Sequence, residues 1–460
     1  MKRILIGFLC IGLILCTLAG CSGGGGSTLD PRNPVTLTMW HNFGGDMQVV
    51  MDTLIDEFNA TVGKDEGVII SVEAITSSAD LQQALNMIIN GDPGAPEMPD
   101  ITTAYPRTAI QFQIKGMLVD LADYFSQDEL SAYITAFLDE GRLGDGGLYV
   151  FPFAKSTELL FVNQTLFDRF SAETGVTMDC FETFEGIAEA AEIYYKWSGG
   201  KDFFAADSWV NLAQAGMLQL GDSLIIGDSE LIHESVNFDS IAYGHIWRTC
   251  VYPAVFGGFA IFDGYSSDLS KTGDIICSTG SSAGTLFYGD TVTYPDNTSE
   301  PVTYSILPYP VFAGGEFARG EKIAIQRGNG MMIAKTDESR EQAAAIFLKW
   351  FTEPEQNIRF IAHTGYLPVT DDAFESLMPM VIETAENPRI RQMLAAVTQM
   401  YEEYDFFVAP AFEAFDSLSR NYERWFKDNL SEYSEYRENG MEVSRHELDE
   451  EFENFFGILG

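Results

Sequence analysis

The first pattern of apolar and polar residues in the chain predicts a strand followed by a helix. Residues Val35 to Met39 alternate between apolar and polar with a period of two, which is typical of a strand with one buried face. After Asp46, apolar residues recur at spacings of three and four as far as Phe58, so an amphipathic helix capped by Asp46 is expected. A strand that turns into a helix N-terminus presents unpaired backbone N–H groups at the carboxyl edge of a sheet, where open α/β folds bind ligands.

The same rhythm continues along the chain. Segments 68–74 and 99–102 have the composition of strands, and segments 81–89 and 109–114 have the periodicity of helices. Short strands that alternate with helices predict a mainly parallel sheet covered on both faces. We therefore predict the α/β class for the first part of the chain.

A second α/β body is predicted after residue 163. Helical periodicity marks segments 181–197 and 337–351, and strands are expected at 274–277, 304–310 and 331–334. The tail from residue 416 to residue 456 is acidic and aromatic, and it predicts one or two amphipathic helices. The length of 460 residues is sufficient for two or more lobes with substantial cores.

The stretch from Gly147 to Asn163 contains two apolar runs that meet at Pro152. Proline lacks a backbone donor and extends the residue before it, so two strand segments and a bend are expected there. The polar residues 155–158 separate the two runs. They face solvent on an edge strand, or they line a cleft where the chain crosses between two bodies, and the pattern alone leaves both interpretations open.

The N-terminus has the features of a bacterial lipoprotein signal. Basic residues Lys2 and Arg3 precede an apolar run that ends at Leu15, and the sequence Leu-Ala-Gly before Cys21 resembles a lipobox. The apolar run is shorter than the roughly 20 residues that span a bilayer. We predict a signal peptide over residues 1–20, a lipid on Cys21, and a Gly/Ser-rich tether over residues 21–34.

Charge disfavours nucleic acid as a partner. The chain has 68 acidic and 27 basic residues and a formal net charge of −41. Nucleic-acid-binding proteins present basic surfaces, so no nucleic-acid partner is expected.

Cysteine and histidine spacing predicts neither disulfides nor a metal site. Beyond Cys21 the chain has Cys180, Cys250 and Cys277, which are odd in number and widely spaced, so free thiols are expected. None of the five histidines has H-E-x-x-H spacing, and no D-x-D-x-D-G calcium loop occurs. We predict no metal and no cofactor.

One motif raises the possibility of a surface-anchored serine hydrolase. Residues 280–284 match G-x-S-x-G directly after a predicted strand, which is the context of a nucleophile elbow with Ser282 as nucleophile. His363 and His446 follow as possible bases. The pattern is short, and no glycine-rich oxyanion motif precedes it, so we predict that the protein is not an enzyme.

An ordered set of segments then points to one family. These segments are the lipobox at Cys21, Thr38–Phe43, Pro99–Ile101, Gly116–Leu121, Pro152–Asn163 and Glu338–Pro368. With them, the chain resembles the extracellular solute-binding lipoproteins of ABC importers, of the carbohydrate and glycerol-phosphate binding kind. The matching segments span nearly the whole chain after the signal.

The resemblance implies a periplasmic-binding-protein-like fold of type II, in which two α/β lobes hold a ligand in the cleft between them. The N-terminal lobe would contain residues 35–152 and 306–353, and the C-terminal lobe residues 153–305 and 354–460. The chain would cross between the lobes at Pro152–Glu158 and at Tyr304–Tyr309. Closure of the lobes around the ligand would be a hinge motion.

The resemblance also implies a set of ligand-binding residues in or beside the cleft: Trp40, His41, Asn42, Ser156, Thr157, Trp209, Ser281, Ser282, Gly328, Asn329 and Tyr366. Pyranose rings present C–H faces to aromatic side chains, and their hydroxyls require fixed donors and acceptors. This inventory is therefore suited to a carbohydrate.

Two departures from the glycerol-phosphate members favour an uncharged ligand. Those members have a tyrosine at the start of the second helix, where this chain has Ala79 or Asp80, and a phosphate-pairing arginine that segment 406–412 lacks. A buried phosphate without a cation is strongly unfavourable. The resemblance thus predicts a monomeric sugar-binding protein, anchored by lipid on the extracytoplasmic face of the cell membrane, that delivers its ligand to an ABC permease. A glycerol-phosphate-type ligand is the alternative.

Overall fold

The computed structural model describes residues 29–75, 77–225, 236–238, 240–313, 320–410, 413–439 and 443–450. The predicted signal peptide, the acceptor Cys21 and most of the tether lie outside the described residues. Within the described ranges, no helix has both the length and the apolar character needed to cross a membrane.

The described strands form two large sheets and one small antiparallel pair. Their bounds are β1 Val35–His41, β2 Val68–Ala74, β3 Ile101–Ala104, β4 Phe151–Pro152, β5 Ser156–Asn163, β6 Phe204–Ala206, β7 Cys277–Ser281, β8 Thr291–Thr293, β9 Ser299–Pro301, β10 Tyr304–Leu307, β11 Ile323–Arg327, β12 Gly330–Ile333 and β13 Asp405–Val408.

Helices surround both sheets. Their bounds are α1 Asp46–Ala60, α2 Val62–Glu66, α3 Ser78–Asn90, α4 Pro106–Ile114, α5 Gln127–Leu130, α6 Thr135–Glu140, α7 Gln164–Thr174, α8 Phe184–Ser198, α9 Trp209–Gln219, α10 Ile241–Phe256, α11 Ser266–Thr272, α12 Glu338–Thr352, α13 Pro354–Ile361, α14 Met378–Thr384, α15 Pro388–Glu403 and α16 Glu413–Glu438, with 3-10 turns at Leu121–Asp123, Met178–Phe181 and Ser282–Phe287 and a π turn at Ala373–Leu377.

The first sheet has the strand order β2-β1-β3-β12-β4. Strand β1 runs parallel to β2 and to β3, and β12 runs antiparallel to β3. Leu37 and Met39 are fully buried, as the alternating pattern of β1 predicts. Helix α1 begins at Asp46, and Gly45 occupies the N-cap position. The prediction that Asp46 caps this helix is therefore wrong.

The second sheet has the order β13-β11-β5-β7-β6, and β10 also pairs with β5. Every residue of β5 is buried because strands flank it on both sides and α15 packs against it. The polar residues at its start therefore do not belong to an edge strand. Helices α9, α10 and α16 pack together in the same lobe through an aromatic core, in which the rings of Trp247 and Trp425 lie 5.1 Å apart.

Three passages connect the two lobes. The first passage, residues 153–155, leads from β4 to β5, and the second passage, Gly328 and Asn329, leads from β11 to β12. The third passage, residues 362–372, follows α13. The first two passages are short because the strands they join end at the boundary between the sheets.

The second passage differs from the predicted crossing at Tyr304–Tyr309. Strand β10 pairs with β5 and β11 pairs with both β5 and β13, so segment 306–327 belongs to the second lobe. The prolines at 308 and 310 end a strand within that lobe. Helix α13 packs on α1 of the first lobe, and Arg359 pairs with Glu57 at 2.8 Å, so the first lobe extends beyond residue 353.

Hydrogen bonds join the first and third passages. The Asn357 side chain donates to the carbonyl of Phe153 at 2.6 Å and accepts from the backbone N–H of Val369 at 3.1 Å. The backbone N–H of Leu367 donates to the carbonyl of Lys155 at 2.6 Å. These contacts hold the two crossings side by side.

A buried ion pair lies where the first passage enters β5. The ammonium of Lys155 contacts the carboxylate of Glu140 at 2.5 Å, and Gln326 donates to the same carboxylate. Burial lowers the pKa of Lys155, and the charge of Glu140 opposes this effect. The pair connects α6 of the first lobe to the strands of the second lobe.

Candidate functional site

The carboxyl edge of the first sheet carries three helix N-termini. Strands β1, β2 and β3 run parallel, so their ends lie at one edge, and each leads into a helix, α1, α3 or α4. Ser77 caps α3, since its hydroxyl accepts from the backbone N–H of Asp80 at 3.1 Å. This edge has the backbone geometry that open α/β sheets use for ligands.

The predicted residues Trp40, His41 and Asn42 lie at this edge. The indole N–H of Trp40 donates to Glu73 at 2.8 Å, and Thr103 donates to Asn42 at 3.4 Å. The His41 side chain is fully buried, and its Nδ1 accepts from the backbone N–H of Phe43 at 3.2 Å. Burial lowers the pKa of His41, so its ring is neutral at pH 7.

Strand register aligns the polar residues of the second sheet at a corresponding edge. Ser156 lies opposite Arg327, Thr157 opposite Gln326, and Glu158 opposite Ser281. Strands β7 and β11 are both antiparallel to β5, and β6 is parallel to β7. Strands β6, β7 and β11 therefore run in the same direction. Their carboxyl ends therefore meet the start of β5 at one edge.

Glu158, Arg327 and Asn211 form a hydrogen-bonded group at this second edge. Glu158 Oε1 accepts from Arg327 Nη1 at 2.9 Å and from the Asn211 amide at 2.8 Å. The Glu158 side chain is 2% exposed, whereas that of Arg327 is 35% exposed. Burial raises the pKa of Glu158, and the charge of Arg327 opposes the rise. The arginine can therefore contact a ligand, while its carboxylate partner is enclosed.

Two further carboxyl groups lie beside this group. Asp207 follows β6, and its carboxylate accepts from the backbone N–H of Ser266 at 2.8 Å. Glu423 on α16 accepts from the Ser208 hydroxyl at 2.8 Å and from the Val210 backbone N–H at 3.0 Å, both at the N-terminus of α9. Burial raises the pKa of both carboxyl groups. The second edge is therefore rich in acidic groups.

Aromatic residues of the first lobe lie close to Arg327. Tyr366 on the third passage stacks on Phe360, with ring centroids 6.1 Å apart and an interplanar angle of 14°. Burial raises the pKa of Tyr366, and the positive charge of Arg327 opposes this rise. Tyr105 directly follows β3, is 39% exposed, and lies within electrostatic range of Arg327. The two edges thus face one another across the passages, and we define the space between them as the cleft.

Several buried polar atoms at these edges have no hydrogen-bond partner among the residues that the structure describes. They are His41 Nε2, Ser282 Oγ, Asn329 Oδ1 and Glu423 Oε2. A buried polar group without a partner typically costs about 1–3 kcal/mol. These atoms are therefore candidate contacts for a polar ligand.

The structure brings most of the predicted site residues to the cleft region. Trp40, His41 and Asn42 lie at the first edge, Ser156, Thr157, Ser281 and Ser282 at the second edge, Gly328 and Asn329 on the second passage, and Tyr366 on the third. Within this group, the Thr157 hydroxyl donates to the carbonyl of Ile325 at 2.9 Å, and Ser156 lines a small cavity with Phe406. Both side chains thus also have contacts inside the second lobe.

Trp209 is placed differently. Its side chain is 3% exposed and stacks on Phe426, with ring centroids 5.3 Å apart and an interplanar angle of 16°. It also packs against Phe259 in the core of the second lobe. Trp209 begins α9, and Asn211 on the same turn donates to Glu158 at 2.8 Å.

Sequence reasoning missed Arg327, Glu158, Asp207, Asn211 and Tyr105 as site residues. One available signal was position, since Asp207 and Tyr105 stand between a strand and a helix, as Asn42 does. The other three depend on pairing between distant segments, because Arg327 and Glu158 are 169 positions apart in the chain. Periodicity carries no information on that pairing.

The serine hydrolase geometry is not formed around Ser282. A nucleophile elbow requires a helix after the serine, but Ser282–Phe287 is a 3-10 turn. His363 is exposed and contacts the carbonyl of Arg359 at 3.0 Å, and His446 is exposed beside Glu450. Neither histidine contacts Ser282, and the described residues contain no cluster of metal-ligating groups.

One protein-family model covers most of the chain. The family model for the bacterial extracellular solute-binding protein matches residues 53–389, which is most of the chain. A comparison with curated proteins finds no match.

Solved structures share the fold. The cyclic alpha-maltosyl-1,6-maltose binding protein from Arthrobacter globiformis has a TM-score of 0.67 and 19% identity, over 93% of this chain and 99% of its own. UgpB from Mycobacterium tuberculosis, in complex with glycerophosphocholine, has a TM-score of 0.67 and 18% identity, over 88% and 97%. Lmo0181 from Listeria monocytogenes, in complex with cycloalternan, has a TM-score of 0.64 and 16% identity, over 92% and 98%. At these identities the likeness confirms the two-lobe fold.

Proposed function

Because the chain belongs to the bacterial extracellular solute-binding protein family, we propose that it is the substrate-binding component of an ABC-type importer and that it captures a sugar or oligosaccharide between its two lobes. The observation that carries this proposal is the pair of facing sheet edges. One edge supplies Trp40 and His41, the other supplies Glu158 and Arg327, and Tyr366 lies between them. Such a combination of aromatic faces and hydrogen-bonding groups suits a polyhydroxylated ring.

A glycerol-phosphate-type ligand is the second candidate, and one observation favours it. Arg327 is a partly exposed cation at the second edge, where segment 406–412 supplies none. A structural relative is described in complex with glycerophosphocholine. Arg327 is already bonded to Glu158, however, and Asp207 and Glu423 lie nearby, so an uncharged ligand is favoured.

The chain outside the described residues supports a membrane-anchored role. The basic pair Lys2 and Arg3, the apolar run and the lipobox at Cys21 indicate a lipid anchor on the extracytoplasmic face. The anchored, monomeric protein would present its ligand to an ABC permease in the same membrane.

A thermal-shift screen tests the ligand class. The protein is heated with mono-, di- and oligosaccharides, glycerol 3-phosphate and glycerophosphocholine, and at least one neutral saccharide is expected to stabilise it. A ligand present at 100 times its Kd contributes about 2.7 kcal/mol of stability, which raises Tm clearly. Trp40→Ala and Tyr366→Ala are expected to reduce the shift at the same ligand concentration.

Trp197→Ala is the matched control for these two variants. Trp197 is 39% exposed on α8, and it bonds Glu173 at 2.9 Å in the second lobe. The control is expected to retain the full ligand-dependent shift. Absence of any saccharide response in the wild type would contradict the proposed function. Labelling of Ser282 by a fluorophosphonate probe, lost in Ser282→Ala, would support the hydrolase instead.

A further inference from the structure

The contacts of Arg327 show which of its groups are available to a ligand. Its Nη1 donates to Glu158 at 2.9 Å, and its Nε and Nη2 groups have no hydrogen-bond partner within the part of the chain that the structure describes. The Glu158 side chain is 2% exposed, and its Oε1 is shared with Asn211. The carboxylate is therefore fixed from two sides, and the guanidinium keeps two free donor positions.

The surroundings of this pair are acidic. Asn211 lies on the first turn of α9, and Ser208 and Val210 of the same segment hold the carboxylate of Glu423. Asp207 immediately precedes that segment. Glu158 contacts the guanidinium directly, and the carboxyl groups of Asp207 and Glu423 lie close to Glu158. In addition, the Asn329 side chain, which is 7% exposed and two residues from Arg327, has an unpartnered Oδ1.

We propose that Glu158 is a specificity-determining residue: its charge neutralises Arg327, the cation that an anionic ligand would need, and it thereby restricts the cleft to uncharged solutes. This inference rests on the proposed solute-binding function. Glu158 acts as an internal counter-ion, and its removal would convert the site to one that accepts phosphate esters.

The physical basis is neutralisation of the guanidinium charge. Arginine binds phosphate through parallel N–H donors, and Nε and Nη2 offer such a pair, but Glu158 on Nη1 already balances the positive charge. A phosphate bound there would therefore lie beside an enclosed carboxylate that repels it. A sugar hydroxyl, by contrast, carries no charge, and it can accept from Nε or Nη2 without repulsion from Glu158.

Isothermal titration calorimetry with sn-glycerol 3-phosphate and with inorganic phosphate tests the inference. The full chain is compared with Glu158→Gln, which is isosteric and keeps an oxygen acceptor for Asn211. The variant is expected to bind glycerol 3-phosphate at least about tenfold more tightly than the wild type. Glu158→Asp, which retains the charge, should resemble the wild type, and Glu158→Gln combined with Arg327→Gln should lose the gain.

Four results would overturn the inference. The first is that the wild type binds glycerol 3-phosphate as tightly as Glu158→Gln does. The second is that Glu158→Gln or Glu158→Ala, shown to be folded by circular dichroism, binds the anion no more tightly than the wild type does. The third is that both neutral variants fail to fold, which would assign Glu158 to stability of the second lobe. The fourth is that the double variant keeps the gain, which would exclude Arg327 as the anion contact.

The saccharide screen is scored separately from these titrations. If no saccharide binds the wild type, the proposed sugar-binding function fails. A gain of phosphate binding in Glu158→Gln would still show that Glu158 and Arg327 control the charge of the solute. The two proposals can therefore fail independently.

Discussion

At the scale of single residues, the ion pair between Arg169 and Glu300 illustrates how hydrogen bonds shift a titration in this protein. Arg169 on α7 and Tyr294 both donate to the Glu300 carboxylate on β9. These bonds lower the pKa of Glu300 to about 2, against an ordinary value of 4.5. The Arg169 side chain is 52% exposed, so solvent screening limits the contribution of the pair to stability.

Arg169→Gln is expected to raise the pKa of Glu300 towards 4.5, because the variant loses the largest of the stabilising bonds. The pKa of Glu300 is lower in the folded than in the unfolded protein. Its contribution to stability is therefore present above about pH 4.5 and is lost as the pH falls towards 2. Carboxyl NMR titration of Glu300 measures the change.

Lys196→Gln serves as the control for Arg169→Gln. Lys196 pairs with Glu192 on α8, so its replacement should leave the titration of Glu300 unchanged. An unchanged pKa of Glu300 in Arg169→Gln would contradict the assignment.

Candidate site residues could be identified from the sequence where they lie at the end of a predicted strand or helix. Pairs of residues that are far apart in the chain could not be identified in this way. Trp40 and His41 follow from a strand that ends before a helix. Arg327 was missed because its role depends on Glu158 and Asn211, which come from two other segments. Trp209 occupies the core because Phe426, on a helix more than 200 positions away, provides its stacking partner.

At the scale of elements, the second passage depends on the backbone of Gly328. Gly328 has φ of +97°, and a Cβ there would lie 2.9 Å from the carbonyl oxygen of Ala154 and 3.0 Å from Lys155 Cα. Both neighbours are backbone atoms of the first passage, so they cannot move aside independently. The first and second passages are therefore packed directly against each other.

Gly328→Ala is expected to destabilise the protein by about 1–3 kcal/mol, because a side chain at positive φ is strained and its Cβ meets backbone. Urea unfolding measures the free energy of unfolding. Gly144→Ala is the matched control, since a Cβ at Gly144 meets no atom within 4 Å. Equal stability of the two variants would contradict this description of the passage.

The alternating strands and helices of the first lobe were predictable because their periodicity is local. The second passage was not predictable, because proline marks a strand end whether or not the chain then leaves the lobe. Only the pairing of β10 and β11 with β5 shows that the crossing comes later. The family resemblance predicted that two lobes exist but did not fix their boundaries.

At the scale of the whole molecule, two lobes joined by three passages predict a ligand-dependent change of shape. The facing edges supply contacts from both lobes, so a ligand that bonds both favours the closed form. A saccharide that stabilises the protein should lower its radius of gyration in small-angle X-ray scattering. Trp197→Ala should show the same decrease, and Tyr366→Ala a smaller one at equal ligand concentration. An unchanged radius with saturating ligand would contradict closure.

The second passage contains only Gly328 and Asn329, and the first contains only residues 153–155. Connections this short cannot lengthen, so they fix the distance between the two lobes where the first and second passages cross. The lobes can still rotate about the line that joins these two passages. The third passage, at 362–372, is long enough to follow that rotation. We therefore expect the main relative motion of the two halves to be a rotation about an axis that runs through Lys155 and Gly328.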